Sequence, residues 1–346
     1  MNNPLISIII PLHNLGSKGD YCLKMCLNSI LAQTFHDYEV LLMENGSTDD
    51  TVEVAKEYCN KDNRFKIHIL DIIGIANARN EGIKRANGAY VSFIDGDDTI
   101  SNDMLSSAND IISKHPNIDF ISFPWSFYYI NKKTSKPIMF YKDDAIKQPT
   151  NLLDYNVIST IWAKIIKKDT LIKNNIFLDA SIYGYDDFLF GNHLYFASKL
   201  YALSKNGVYY YTQNRTNQTT KTKLYSMTNG QVSLINKLSD LYTQYGVYDE
   251  NKNILDNLFI SLFIGSSFAL TSIRKMNKKD INELIKNNYD KIISINIDNI
   301  DCANWQKVWF KRFQKAVKHN MGYYFIKFMR LYRNLFIQPF RIKWYK

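Results

Sequence analysis

The sequence predicts an α/β protein with a mainly parallel, doubly wound central sheet, followed by a helical C-terminal region. Three observations carry that expectation. Strand and helix patterns alternate through the first hundred residues, the first strand candidate is apolar without a break, and strand signals fade after Met227, where helical periodicity takes over.

Leu5 to Ile10 is a continuous apolar run ending at Pro11, the pattern of a strand buried on both faces. Cys22, Met25, Cys26, Ser29 and Ile30 recur at helical spacing, and Tyr38 to Met43 forms a second strand. Ser47-Thr48-Asp49 offers N-cap chemistry for a helix with Val52, Val54, Ala55 and Tyr58 on its apolar stripe. A third strand is expected over Phe65 to Leu70, a third helix over Ile75 to Ala86, and a fourth strand over Tyr90 to Ile94, running into Asp95-Gly96-Asp97-Asp98. In such a sheet ligands bind beyond the carboxyl ends of the strands, where Glu44-Asn45 and the Asp95 to Asp98 cluster lie. From Asp119 to about Tyr225 short aromatic strands (FISFPWSFYYI, GVYYYT) mix with a helical stretch near Asp186 to Ser198. A boundary near residue 226 divides the chain into 1–225 and 226–346.

The composition is that of a folded globular chain: 346 residues, 46% hydrophobic and 22% charged. Four sparse cysteines fit no zinc or redox spacing, which suits a reducing, cytoplasmic setting. Only MNNP precedes the first apolar run, so no secretory leader is expected, and the uncharged stretch Leu258 to Ile273 reads better as a buried helix than as a membrane span. The net charge of +10 is localised. Trp305 to Lys346 holds eleven Lys and Arg and no acid, leaving 32 of the 43 bases against the 33 acids elsewhere.

Clustered carboxylates repel one another, so the tetrad Asp95-Gly96-Asp97-Asp98 either recruits a hard divalent cation or forms a solvated turn. An EF-hand is disfavoured because the acids required at the fifth and twelfth loop positions are missing. Asp186-Asp187 is either a pair of helix-capping acids or a proton acceptor and its neighbour. Trp162 by itself suits a place in the core.

The segments IIPLHN (Ile9 to Asn14), SILAQTF (Ser29 to Phe35), ENGSTDDT (Glu44 to Thr51), ANARNEGIKRANGAYVSFIDGDD (Ala76 to Asp98), WAK (Trp162 to Lys164) and YDDFLF (Tyr185 to Phe190) occur in an order and spacing that resembles the family-two glycosyltransferases of GT-A fold. The resemblance spans roughly residues 4 to 220. It implies a donor pocket for a nucleotide sugar, with UDP the expected nucleotide, formed by Pro11, His13, Asn14, Glu44 and Asn45. The family usually has an acid where this chain has Asn45, whose amide oxygen could accept from uracil N3–H. The resemblance further places Arg79, Asn80 and Asp95 beside the donor, Asp97 and Asp98 on an Mn²⁺ or Mg²⁺ ion, and Trp162 and Lys164 on the acceptor side. Asp186 then takes the place of the family's Glu, and Asp187 that of the general base. Arg215 in QNRTNQTT would be a phosphate contact or part of a solvated loop. The implied reaction is inverting sugar transfer to a glycan, expected to be lipid-linked, in capsule, lipopolysaccharide or other surface polymer synthesis.

Met321, Tyr324, Phe325, Phe328, Leu331, Tyr332 and Leu335 are spaced as one face of a helix whose other face carries Lys327, Arg330 and Asn334. This basic amphipathic tail suits an anionic membrane surface, placing the protein at the inner face of the plasma membrane, or else packs on the protein; nucleic acid is not an expected partner. Two other classes compete. A metal-dependent nucleotidyltransferase would release pyrophosphate, and a membrane-surface binding module would turn over no donor.

Overall fold

A computed structural model describes residues 3–16, 22–130, 133–158, 160–182, 184–213, 224–261, 263, 278–300, 302 and 304–332. Two compact units divide the chain, one formed by residues 1–180 with 186–219 and the other by 181–185 with 220–346.

The first unit opens with β1 (Ile6–Leu12), α1 (Cys22–Leu31), β2 (Tyr38–Glu44), α2 (Thr51–Lys61), β3 (Phe65–Ile69), α3 (Ile75–Arg85) and β4 (Tyr90–Phe93). It continues through β5 (Thr99–Ile100), α4 (Met104–Lys114), β6 (Phe120–Ser122), β7 (Trp125–Tyr129), β8 (Thr134–Met139), β9 (Ala145–Lys147), α5 (Tyr155–Ile158), β10 (Lys164–Lys167), α6 (Lys168–Lys173), α7 (Asp186–Ala197), β11 (Tyr201–Leu203) and β12 (Tyr209–Gln213). The main sheet has the order β3-β2-β1-β4-β10-β6-β11-β9, and β5, β12, β7 and β8 form a second sheet. β1 to β4 are mutually parallel, as the alternating pattern requires. β10 enters antiparallel between β4 and β6, which sequence order alone does not reveal.

β1 reads as unbroken apolar because its two faces serve two cores. Ile6, Ile8, Ile10 and Leu12 pack with α1, α2 and α4, while Ile9 faces α3 and α7 on the other side. The strand continues through Pro11, which pairs with Met43 of β2. Its missing N–H costs no ladder bond, because odd-numbered residues of β1 bond toward β4 and β4 ends opposite Ile9. Pro124 splits the long aromatic run into β6 and β7, so the two halves join different sheets.

The second unit contains α8 (Leu224–Gln244), α9 (Tyr248–Ile260), α10 (Lys278–Asn287), α11 (Tyr289–Ser294), α12 (Asn304–Lys318) and α13 (Gly322–Tyr332). Phe259, Phe263, Phe310 and Phe313 centre its core, with the rings of Phe263 and Phe313 stacked at 5.0 Å. The tail face expected from spacing is divided here: Met321, Tyr324 and Phe328 are exposed, whereas Phe325 turns toward Trp309 and Phe313 beside the buried Ile326 and Met329. Leu335 lies outside the described residues, as does most of the apolar stretch after Phe263. Among the described residues no helix is long and apolar enough to cross a membrane.

Candidate active site

The carboxyl ends of β1, β2 and β4 carry the donor-side residues. Asn14, in a left-handed conformation (φ 53°), accepts from the Thr48 backbone N–H at 2.8 Å and from its hydroxyl. The buried Glu44 carboxylate accepts from the Ser47 N–H and hydroxyl. His13 donates from Nδ1 to the Asn45 carbonyl at 2.9 Å; a carbonyl can only accept, so the ring proton sits on Nδ1. Pro11 is buried within the strand.

The Asn45 Oδ1 accepts from the Gly74 N–H at 2.7 Å, at the positive-φ residue that opens α3. One lone pair of that oxygen and the Nδ2 amide remain for further partners. The Asn80 carboxamide donates to the Leu178 carbonyl at 2.8 Å and accepts from the Leu178 N–H at 2.9 Å, a two-point clamp that holds the chain leading to α7.

Arg79 is the centre of the site. α3 presents it, almost fully buried, to Asp95 at 2.7 Å after β4 and to Asp187 at 3.0 Å in the first turn of α7. Burial opposes its charge, but the two carboxylates outweigh that cost and raise its pKa. Its Nε meets no acceptor among the described residues. Asp187 is raised in pKa by burial and by Asp95, with Arg79 and Lys164 opposing. Burial, then the charge of Asp187, pushes Asp186 up to about 6 against the pull of Arg79.

Asp97 and Asp98 part company. Asp97 is half-buried at the strand end, whereas Asp98 is fully buried and points inward. Its Oδ2 accepts from the Tyr209 hydroxyl at 2.7 Å and its Oδ1 from the Thr212 N–H at 2.8 Å. Burial, then the charge of Asp95, raises its pKa well above the carboxylate range. Asp98 therefore ties β12 to the end of β4. Hard oxygen donors of this kind fit Mg²⁺ or Mn²⁺ when a diphosphate completes the shell. Among the described residues no three His, Cys, Asp or Glu side chains gather to hold an ion by themselves.

Trp162 and Lys164 point apart because Ala163 between them takes a left-handed backbone (φ 56°), costly for a residue with a Cβ. Trp162 stacks on Tyr209 at 4.8 Å and Tyr211 at 5.5 Å and meets the edge of Trp125 at 5.1 Å. Lys164 is buried, which corrects its acceptor-side placement. Its Nζ donates to the Thr160 carbonyl and hydroxyl, and burial lowers its pKa to about 7 against the attraction of Asp187. Arg215 lies outside the described residues. Tyr209 went unnoticed in the sequence; the alternation of GVYYYT holds the signal, since Tyr209 and Tyr211 share one strand face opposite Trp125 and Phe127.

Residues 7–169 match the model of glycosyl transferase family 2. The chain is similar to a cholesterol galactosyltransferase of Borreliella burgdorferi, 26% identical over 323 residues and 87% of each chain. It is also similar to the glycosyltransferase EpsJ of Bacillus subtilis, 26% identical over 61% of this chain and 62% of that one. The fold superposes on residues 1–349 of S. aureus TarS in complex with UDP-GlcNAc, with a TM-score of 0.72 at 18% identity, covering 95% of this chain and 91% of that one. The family match over residues 7–169, the motif order and the fold together support a family-two glycosyltransferase of GT-A fold.

Proposed function

We propose that the protein is a metal-dependent, inverting glycosyltransferase that moves a sugar from a UDP-sugar to a hydroxyl of a lipid-linked glycan, at the inner face of the plasma membrane, in surface polysaccharide synthesis. The observation that carries this reading is the placement of Arg79 between Asp95 and Asp187, which brings a donor-side acid and a candidate base to one crevice. The UDP-GlcNAc complex of TarS supports the choice of donor class.

In this reading Asp187 takes the proton of the acceptor hydroxyl as the new C–O bond forms, and the bond from the anomeric carbon to the diphosphate breaks on the opposite side. Configuration inverts because a single displacement occurs. Arg79 orients Asp187 and opposes the effect of burial on its charge, and the Arg79 Nε–H remains for a ligand oxygen. Asp95 contacts the donor and Asp186 adjoins the base. When bound, Mg²⁺ or Mn²⁺ held by Asp97 offsets negative charge on the departing nucleoside diphosphate. Trp162 offers an aromatic edge on the acceptor side.

Asp187→Asn preserves shape and removes the base. UDP affinity, measured by titration calorimetry, should stay within a few-fold while sugar transfer falls by about 10²–10⁴-fold. Loss of UDP binding in step with transfer would make Asp187 a binding residue, and release of pyrophosphate by the wild type would instead assign nucleotidyl transfer.

A further inference from the structure

The exposed faces of α12 and α13 form one surface. Trp305 and Val308 on α12 are 50% and 49% exposed, and Met321, Tyr324 and Phe328, at the start of α13 and along it, are 50%, 52% and 53% exposed. The two sets meet through Trp309, one helical turn from Trp305, whose ring lies 6.4 Å from that of Phe328 and 6.0 Å from that of Phe325. Arg312 lies over Trp309 at 4.8 Å, in line with Trp305 and Val308 by helical spacing.

Charge surrounds this apolar strip. Lys311, Lys315 and Lys318 flank it on α12 and Lys327 on α13, all exposed, and Lys278 of α10 sits 5.4 Å from the Tyr324 ring centroid. Neither α12 nor α13 contains an acidic residue, and Asp298 pairs with Lys311. A second copy of the chain would bring the same bases against these, and a basic rim opposes such self-pairing. Aromatic side chains with amphipathic ends inside a basic rim match the interface of an anionic bilayer, where the rings sit at the headgroup level and the lysines meet lipid phosphate.

We infer that this α12–α13 face docks on an anionic lipid surface, with Trp305 and Phe328 entering the interface and Lys315 and Lys318 at the rim. The inference deepens the membrane part of the reading above by naming the surface. Vesicle binding requires no donor, so its failure is distinct from failure of sugar transfer.

The test uses the full chain and sedimentation with vesicles of phosphatidylglycerol and phosphatidylcholine in equal parts, against pure phosphatidylcholine. The wild type is expected to bind the anionic vesicles at least about tenfold more tightly, with affinity falling but not vanishing as salt rises. Trp305→Ala with Phe328→Ala, and separately Lys315→Glu with Lys318→Glu, should each lower binding about tenfold or more while UDP-sugar turnover on a soluble acceptor is retained. These positions are exposed, and the two pairs provide independent readouts should one fold poorly. Equal binding by variants and wild type, or wild-type preference for neither vesicle, would overturn the assignment. So would a lipid-free dimer abolished by the aromatic pair, which would give the face to a second copy.

Discussion

Asn45 has the shape of an aspartate, but its neighbours decide which end it offers to a ligand. The Gly74 N–H fixes the orientation of its oxygen, and we propose that the amide N–H meets a carbonyl of the base. Asn45→Asp keeps an acceptor for Gly74 and replaces the ligand-facing donor by an acceptor. UDP affinity is expected to fall roughly 3- to 10-fold, the worth of one hydrogen bond; tighter UDP binding in titration would mean that the base is read through N3–H. The two adjacent acids after Gly96 are separable in the same way. Asp97→Ala should abolish metal-stimulated turnover with little change in thermal unfolding. Asp98→Ala strands the Tyr209 hydroxyl and the Thr212 N–H and should cost about 1–3 kcal/mol for each stranded donor, seen as a lower unfolding midpoint. A fully stable Asp98→Ala that has lost only its response to Mn²⁺ would return Asp98 to the metal.

α7 positions the acids by how closely it packs. Gly191 lies against α5, where an added Cβ would come within 2.1 Å of the Ile158 carbonyl oxygen, a backbone atom that cannot rotate away. The same helix begins with Asp186 and Asp187, and Asn80 clamps Leu178 in the chain leading to it. Gly191→Ala should therefore displace the helix, costing about 1–3 kcal/mol by overpacking. Transfer should fall more than UDP binding, because Asp187 moves with the helix while the proposed donor residues lie at the ends of β1 and β2. Unchanged stability and transfer would show that α7 tolerates the shift. Helix periodicity marks α7 in the sequence, but no local pattern distinguishes a glycine required for contact from one that is merely tolerated.

At the scale of the whole catalytic unit, α3, the end of β4, α7 and β10 contribute Arg79, Asp95, the Asp186-Asp187 pair and Lys164 to one charge network. Burial, and then Asp187, lifts Asp186 to about 6, and burial raises Asp187 above the ordinary carboxylate value of 3.8 as well. A base must be ionised to act, and transfer is expected to rise with pH above the ordinary carboxylate range. Stability runs the other way. Between about 4 and 6 native Asp186 retains a proton that its unfolded carboxyl has released, so the fold loses stability as pH rises through that window. A pH–rate profile with an acid limb near 4 would mean that the burial of these acids does not persist in the working enzyme.

The sequence by itself determined the repeating strand–helix order of the first hundred residues, the family motifs and the position of the acids at strand ends, because period-two and period-3.6 patterns and turn chemistry act over a few residues. Arg79, Asp95 and Asp187 were legible as candidates only through the resemblance of their segments to the family's motifs. Only the tertiary structure decided that Asp98 faces inward to Thr212, that Asn80 clamps Leu178, that Ala163 turns Lys164 into the core, and that β10 enters the sheet antiparallel. In the side-chain contacts among these, the partners lie from about 100 to more than 110 residues apart, like Arg79 and Asp187. Their pairing is fixed by which distant strands and helices pack together, and a carboxylate or amide presents the same local sequence whether its partner is solvent, ligand or buried backbone.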